Sequence, residues 1–91
     1  MHKKRVKIIV SGLVQGVGFR YYTREKAIRL GLLGYVKNLD NDIVEIVAEG
    51  KEDKLNEFIL WCRKGPDSAE VSDIKITKNE NKDIYNEFQI R

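Results

Sequence analysis

The chain has 91 residues, 42% of them apolar and 34% charged, with a formal net charge of +3. That length suits a single domain, 1–91 with its core at about 4–91, burying by general scaling roughly 60 to 65% of its unfolded surface. No apolar run approaches the roughly 18 residues of a transmembrane helix; a lone cysteine, Cys62, excludes a disulfide framework and a multi-cysteine metal site; and the charge is too small to argue for nucleic acid by itself.

The opening "MHKKRVKIIVSG" is basic, but its apolar stretch is too short for a signal peptide, so a cytoplasmic location is expected. Residues 4–11 alternate, with Val6, Ile8 and Val10 on one side and Arg5 and Lys7 on the other, which predicts a half-buried strand. A glycine-rich loop follows, and residues 21–30 then form a helix that places Thr23, Ala27 and Leu30 on one face and stops at Gly31. "LGYVKNL" at 33–39 predicts a second strand. After the turn "DND" comes a third, with Val44, Ile46 and Ala48 alternating with Glu45, Val47 and Glu49, so the two strands make a hairpin.

Residues 51–64 space Leu55, Phe58, Ile59 and Cys62 along one helical stripe, with Glu52 and Asp53 near the start and Arg63 and Lys64 near the end, complementing the helix dipole. Gly65 and Pro66 end it. "VSDIKITK" and "IYNEFQI" supply a fourth strand and a short fifth at the edge. The order βαββαβ, without linker or repeat, predicts an α+β sandwich with two helices on one face of an antiparallel sheet.

Such an architecture hosts many functions, so the site must decide. In "GLVQGVGFR", Gly16 and Gly18 can take positive φ and let successive N–H groups converge into an anion-binding nest. A helix begins directly afterwards, and its free N–H groups favour the same ligand. Arg20 stands at the junction and can grip two phosphate oxygens at once. Nest, helix end and guanidinium share a preference for a small tetrahedral anion. The simpler reading is a tight strand-to-helix turn with a solvated arginine. Two other phosphate loops fail here: Tyr21 replaces the third glycine of a dinucleotide fingerprint, and no GK[ST] follows.

The string "GLVQGVGFRYYTREKA" closely resembles the first signature of the acylphosphatase family, and "GYVKNLDNDIVEIVAEG", residues 34–50, resembles its second. The similarity runs on through "WCRKGP" and covers nearly the whole chain. It implies a ferredoxin-like βαββαβ sandwich that hydrolyses the carboxyl–phosphate bond of small acyl phosphates without metal or organic cofactor. It also implies orthophosphate as product and inhibitor. By matching positions, Arg20 corresponds to the family's phosphate-binding arginine and Asn38 to its water-positioning asparagine, with the phosphate-binding backbone supplied by Gln15, Gly16, Val17, Gly18, Phe19 and Arg20.

One position departs from the pattern. The family usually has glycine four residues after that asparagine, and here it is Asp42, which tolerates a left-handed turn but adds a negative charge. The chemistry fits the residue types. A carboxamide is no base, but its oxygen can accept a hydrogen bond from water and aim it at phosphorus. The carboxylate is a good leaving group, so a phosphate oxygen of the substrate can take the proton, while loop amides and Arg20 hold a loose transition state.

The remaining conspicuous residues have plainer readings. His2 belongs to a terminus, and Cys62 to a packed core stripe. Asp40 and Asp42 lie in a turn without calcium-loop spacing. "HKKR" reads as a solvated tail, and Tyr21, Tyr22, Tyr35 and Trp61 as packing or half-exposed surface. An RNA-recognition module would need aromatics on its central strands, and a metal chaperone would need a CxxC pair, neither of which occurs. The competing function is a module that binds phosphate or carbamoyl phosphate without turnover, or an acylphosphatase-like piece of a larger carbamoyl-transferring maturation enzyme. Monomer is the expected oligomeric state for a small domain with no evident apolar patch.

Overall fold

Alternating apolar side chains build the central sheet, and the strand that most affects the site pairs in an unexpected direction. The computed structural model describes residues 3–91; the reading of His2 lies outside the described residues. The elements in chain order are β1 (Lys3–Leu13), α1 (Phe19–Arg29), β2 (Leu33–Leu39), β3 (Ile43–Lys51), α2 (Glu52–Lys64), β4 (Glu70–Lys78) and β5 (Phe88–Ile90). The strands lie side by side as β4-β1-β3-β2-β5. No helix among the described residues is long and apolar enough to cross a membrane.

The pairs β1–β3, β1–β4 and β2–β3 are antiparallel, with Ile46 opposite both Ile8 and Val36. β5 runs parallel to β2, setting Phe88 beside Gly34 and Ile90 beside Val36. The sheet is therefore mixed, a correction to the all-antiparallel expectation. A chain that leaves β4 at one edge has to travel to the opposite edge to reach β2, so no hairpin constraint fixes its direction.

Period-two alternation puts Ile8, Val10, Val36, Val44, Ile46 and Ala48 on one face, all fully buried under the helices. α1 contributes Phe19 and Ala27 to that core, and α2 contributes Leu55, Phe58 and Cys62. The predicted stripe on α2 holds, and burial in it pushes the Cys62 thiol pKa upward. Phe19 packs on Trp61 with ring centroids 5.8 Å apart, and Phe58 packs edge-on to Phe88 at 6.1 Å.

The opposite face is not left to water. Val47, grouped by sequence with outward-pointing Glu45 and Glu49, is fully buried in a second small cluster with Tyr35 and Tyr85. The cover is the connection from β4 to β5. Arg5 donates to the main-chain oxygens of Asn81 at 2.9 Å and Asp83 at 2.7 Å, pairs with Glu49, and stacks over the Tyr85 ring at 4.7 Å. Lys3 to Arg5 belong to β1, so these residues of "HKKR" are strand and not tail, with Lys3 and Lys4 exposed as expected and Arg5 half-buried. A guanidinium with five donors can anchor a strap that has no regular structure of its own.

Candidate active site

The glycine loop takes the shape its composition allows. Gly16 and Gly18 sit at φ 73° and 77°, in the left-handed region. Gly18 caps α1 with no side-chain bond, and the first helical hydrogen bond runs from the Tyr22 N–H to the Gly18 oxygen at 3.0 Å. The helix starts at Phe19, two residues earlier than the sequence suggested, so Arg20 projects from its first turn. No acidic residue lies in that turn to compete for the free N–H groups, which keeps the helix end electropositive.

Two tethers hold the loop. The Gln15 side-chain amide donates to the main-chain oxygens of Leu39 at 2.6 Å and Ile43 at 3.0 Å, on the two arms of the β2–β3 hairpin. The Ser68 hydroxyl donates to the Val17 oxygen at 2.9 Å from the connection between α2 and β4. Neither tether is legible in residue order, since the bonded partners lie 24, 28 and 51 residues away. Val17 packs its side chain against the core.

Asn38 approaches from the other side. On β2 it follows the buried Val36 by two residues, so it lies on the helix-covered face of the sheet, below the end of α1 that carries Arg20. The two line one cavity of about 190 Å³ together with Val14, Gly16, Gly18, Phe19, Tyr21 and Ile90. Asn38 Oδ1 is buried without a protein hydrogen-bond partner, so it is free to accept from a guest or a water. Arg20 is half-buried, and its Nη1 donates only a long 3.4 Å bond to the main-chain oxygen of Arg91. Its remaining donors are available to a guest.

Of the residues singled out by sequence, Arg20, Asn38, Gly16, Gly18 and Phe19 line this cavity, while Gln15 and Val17 do not. Ile90 was missed as a wall residue, because only the parallel pairing of β5 brings it there. Asp42 adopts φ 59° beside Asn41 at 62°, and the hairpin forms with the aspartate in the glycine's place. Asp42 does not line the cavity. The larger groove, about 470 Å³ and bordered by Tyr22, Trp61 and Pro66, shares no lining residue with this cavity.

The chain matches a known family. The acylphosphatase family model matches residues 6–90. An acylphosphatase of Vibrio cholerae serotype O1 is 47% identical over 90 residues, covering 99% of each chain. The crystal structure of the Bacillus subtilis acylphosphatase superposes with a TM-score of 0.91 at 39% identity, covering 99% of both chains. T. kodakarensis HypF contains a similar unit, with a TM-score of 0.86 and 35% identity, but the match covers only 12% of that longer chain. The chain is a hydrolase of the acylphosphatase family.

Proposed function

We propose that the protein hydrolyses the carboxyl–phosphate bond of small acyl phosphates, without a metal ion or organic cofactor, by holding the phosphoryl group and aiming a water molecule at it. The amides from Gln15 to Arg20 and the Arg20 guanidinium take the phosphoryl oxygens. Asn38 Oδ1 accepts a hydrogen bond from the attacking water. As the water oxygen bonds to phosphorus, the phosphorus–oxygen bond to the acyl group breaks and the carboxylate leaves with the electron pair. A phosphoryl oxygen takes the water's proton. Positioning and a preorganised electrostatic field carry such a loose transition state.

The observation that carries this reading is the meeting of Arg20 with the unpaired Asn38 Oδ1 on one small cavity. Among the described residues no group of three or more His, Cys, Asp or Glu side chains comes together. The test is an assay of purified acyl phosphate with and without a chelator and added orthophosphate. Turnover that ignores the chelator and is competitively slowed by orthophosphate supports the proposal. Binding of orthophosphate without turnover would assign the protein instead to the phosphate-holding modules.

A further inference from the structure

We propose that the groove bordered by Tyr22 and Trp61 is a second ligand site, for a planar aromatic ring that carries an anionic group, as a nucleoside monophosphate does, and that its occupancy is coupled to the glycine loop. The inference goes beyond acyl phosphate hydrolysis and uses none of the residues that line the Arg20–Asn38 cavity. At about 470 Å³ the groove is more than twice the size of that cavity. It falls in the range of roughly 300 to 1,000 Å³ usual for small-molecule sites. Its lining is drawn from separate parts of the chain: Tyr22, Lys26 and Arg29 recur at helical spacing on one face of α1, Trp61 and Lys64 end α2, and Asp67 belongs to the connection that follows.

These residues combine stacking surface with cations. Tyr22 is 49% exposed, and the half-buried Trp61 ring is anchored against Phe19, with centroids 5.8 Å apart. Fixed aromatic rings give a planar ligand a platform at little entropic cost. Arg29 and Lys64 are both exposed at the same groove. The ion pairs nearby tie Lys26 to Glu57 at 3.7 Å and Glu25 to Arg24 at 3.5 Å, and engage neither of them. An anionic group can therefore take both cations, the guanidinium in forked fashion. Asp67 is the lining carboxylate outside those pairs. It can accept from hydroxyl or amino groups of a nucleoside and repels a long polyanion.

The groove also backs on the glycine loop. The Ser68 hydroxyl donates to the Val17 oxygen at 2.9 Å, the Tyr22 ring would lie 3.3 Å from a Cβ added at Gly18, and a Cβ at Gly65 would lie 2.8 Å from the Phe19 ring. A ligand that fixes Tyr22, Trp61 and Ser68 thus acts on the residues that hold the loop, and linkage makes any such effect reciprocal.

Trp61 is the only tryptophan, so its fluorescence reports on the groove. Adenosine monophosphate is expected to quench it saturably, with half-saturation on the order of 1 mM or below. Reversing the two exposed cations, Arg29→Glu with Lys64→Glu, should raise that concentration about tenfold or more while acyl phosphate hydrolysis stays within about twofold of wild type. Ribose phosphate, which lacks the ring, and adenosine, which lacks the anion, should displace the nucleotide only at about ten times its concentration or more. Arg20→Ala should leave nucleotide binding within about twofold, and nucleotide and orthophosphate should shift each other's binding constants by one common factor of about 3. Absence of saturable quenching, indifference to the charge reversal, or ribose phosphate binding as tightly as the nucleotide would overturn the site. Loss of binding in Arg20→Ala would overturn it too, by placing the nucleotide in the Arg20–Asn38 cavity. Unshifted constants would overturn the coupling. The fluorescence titration reads the groove whether or not the protein turns over acyl phosphate, so its failure and that of the hydrolytic mechanism are separate results.

Discussion

The side-chain amide of Gln15 is hydrogen-bonded to the main-chain oxygen of Leu39 at 2.6 Å, one residue beyond Asn38. Its second bond, to Ile43 at 3.0 Å, closes the clamp on the other arm of the hairpin. The glycine loop and Asn38 come from separate elements, and this amide ties the loop to the hairpin that carries Asn38. Gln15→Ala is expected to cost about 1 kcal/mol, because the freed carbonyls are half-exposed and can be rehydrated. It should lower kcat about tenfold while moving the orthophosphate inhibition constant less, since small misplacements of reacting groups cost rate more than affinity. Urea denaturation and steady-state kinetics measure the two effects. A wild-type kcat would show that the clamp positions nothing.

Arg20 and Asn38 should fail differently. Arg20→Ala removes a forked, charge-assisted grip, so orthophosphate inhibition weakens and kcat/KM falls on the order of 100-fold or more. Asn38→Ala leaves the nest and the guanidinium in place, so orthophosphate still binds while turnover disappears. Kinetics with orthophosphate titration separates the two profiles. Wild-type rates in both variants would remove these residues from the mechanism.

Two glycines should respond differently to the same added methyl group. At Gly34, at φ 140°, a Cβ would lie 1.9 Å from the Val47 main-chain oxygen in the middle of the sheet. Gly34→Ala is expected to cost about 3 kcal/mol or more, because neither strand can move without breaking the ladder. At Gly16 a Cβ would meet nothing within 4 Å. Gly16→Ala should cost only about 1 kcal/mol of left-handed strain and appear chiefly as weaker orthophosphate binding. Chemical denaturation and inhibition constants distinguish them.

The face away from the helices carries a charged cluster whose pH response has a definite sign. Glu45, 8% exposed, accepts a hydrogen bond from the Tyr35 hydroxyl at 2.9 Å and pairs with Lys7 at 3.3 Å and Lys37 at 3.5 Å. Burial alone would raise its pKa, but the Tyr35 hydroxyl and the two ammonium groups outweigh it and hold Glu45 below its usual 4.5. Burial first, and then Glu45, push Tyr35 from 10.0 up to about 12. The lowered carboxyl contributes stability above its ordinary pKa and loses it as acid protonates it in the fold. The raised phenol contributes stability that is complete below 10.0 and lost as pH climbs through about 12. Tyr35→Phe should therefore cost about 1 kcal/mol at neutral pH and flatten the alkaline limb. Denaturation midpoints from pH 3 to 12 provide the check, and an unchanged alkaline limb would contradict it.

Much of this molecule can be read from residue order. The alternation in β1 and β3 and the stripe on α2 depend on neighbours a few positions apart, so periodicity locates them. The glycines and Arg20 are equally local: the loop, the helix end and the guanidinium follow one another along a few residues, and the expectation of a tetrahedral anion follows from them. Even the turn at Asp40–Asp42 is legible, because aspartate and asparagine accept left-handed φ.

Long-range geometry decided the rest. No local pattern shows that β5 crosses to lie parallel to β2, that Ile90 thereby joins the cavity wall, or that Arg5 holds a strap over Val47. Residue order likewise does not bring Arg20 within one cavity's span of Asn38, or attach Gln15 to the hairpin. The physical reason is range. Torsional preference and hydrophobic periodicity act within a turn or a strand, whereas strand direction, the far side of a sheet and the meeting of two side chains on separate elements are set by packing the whole chain at once.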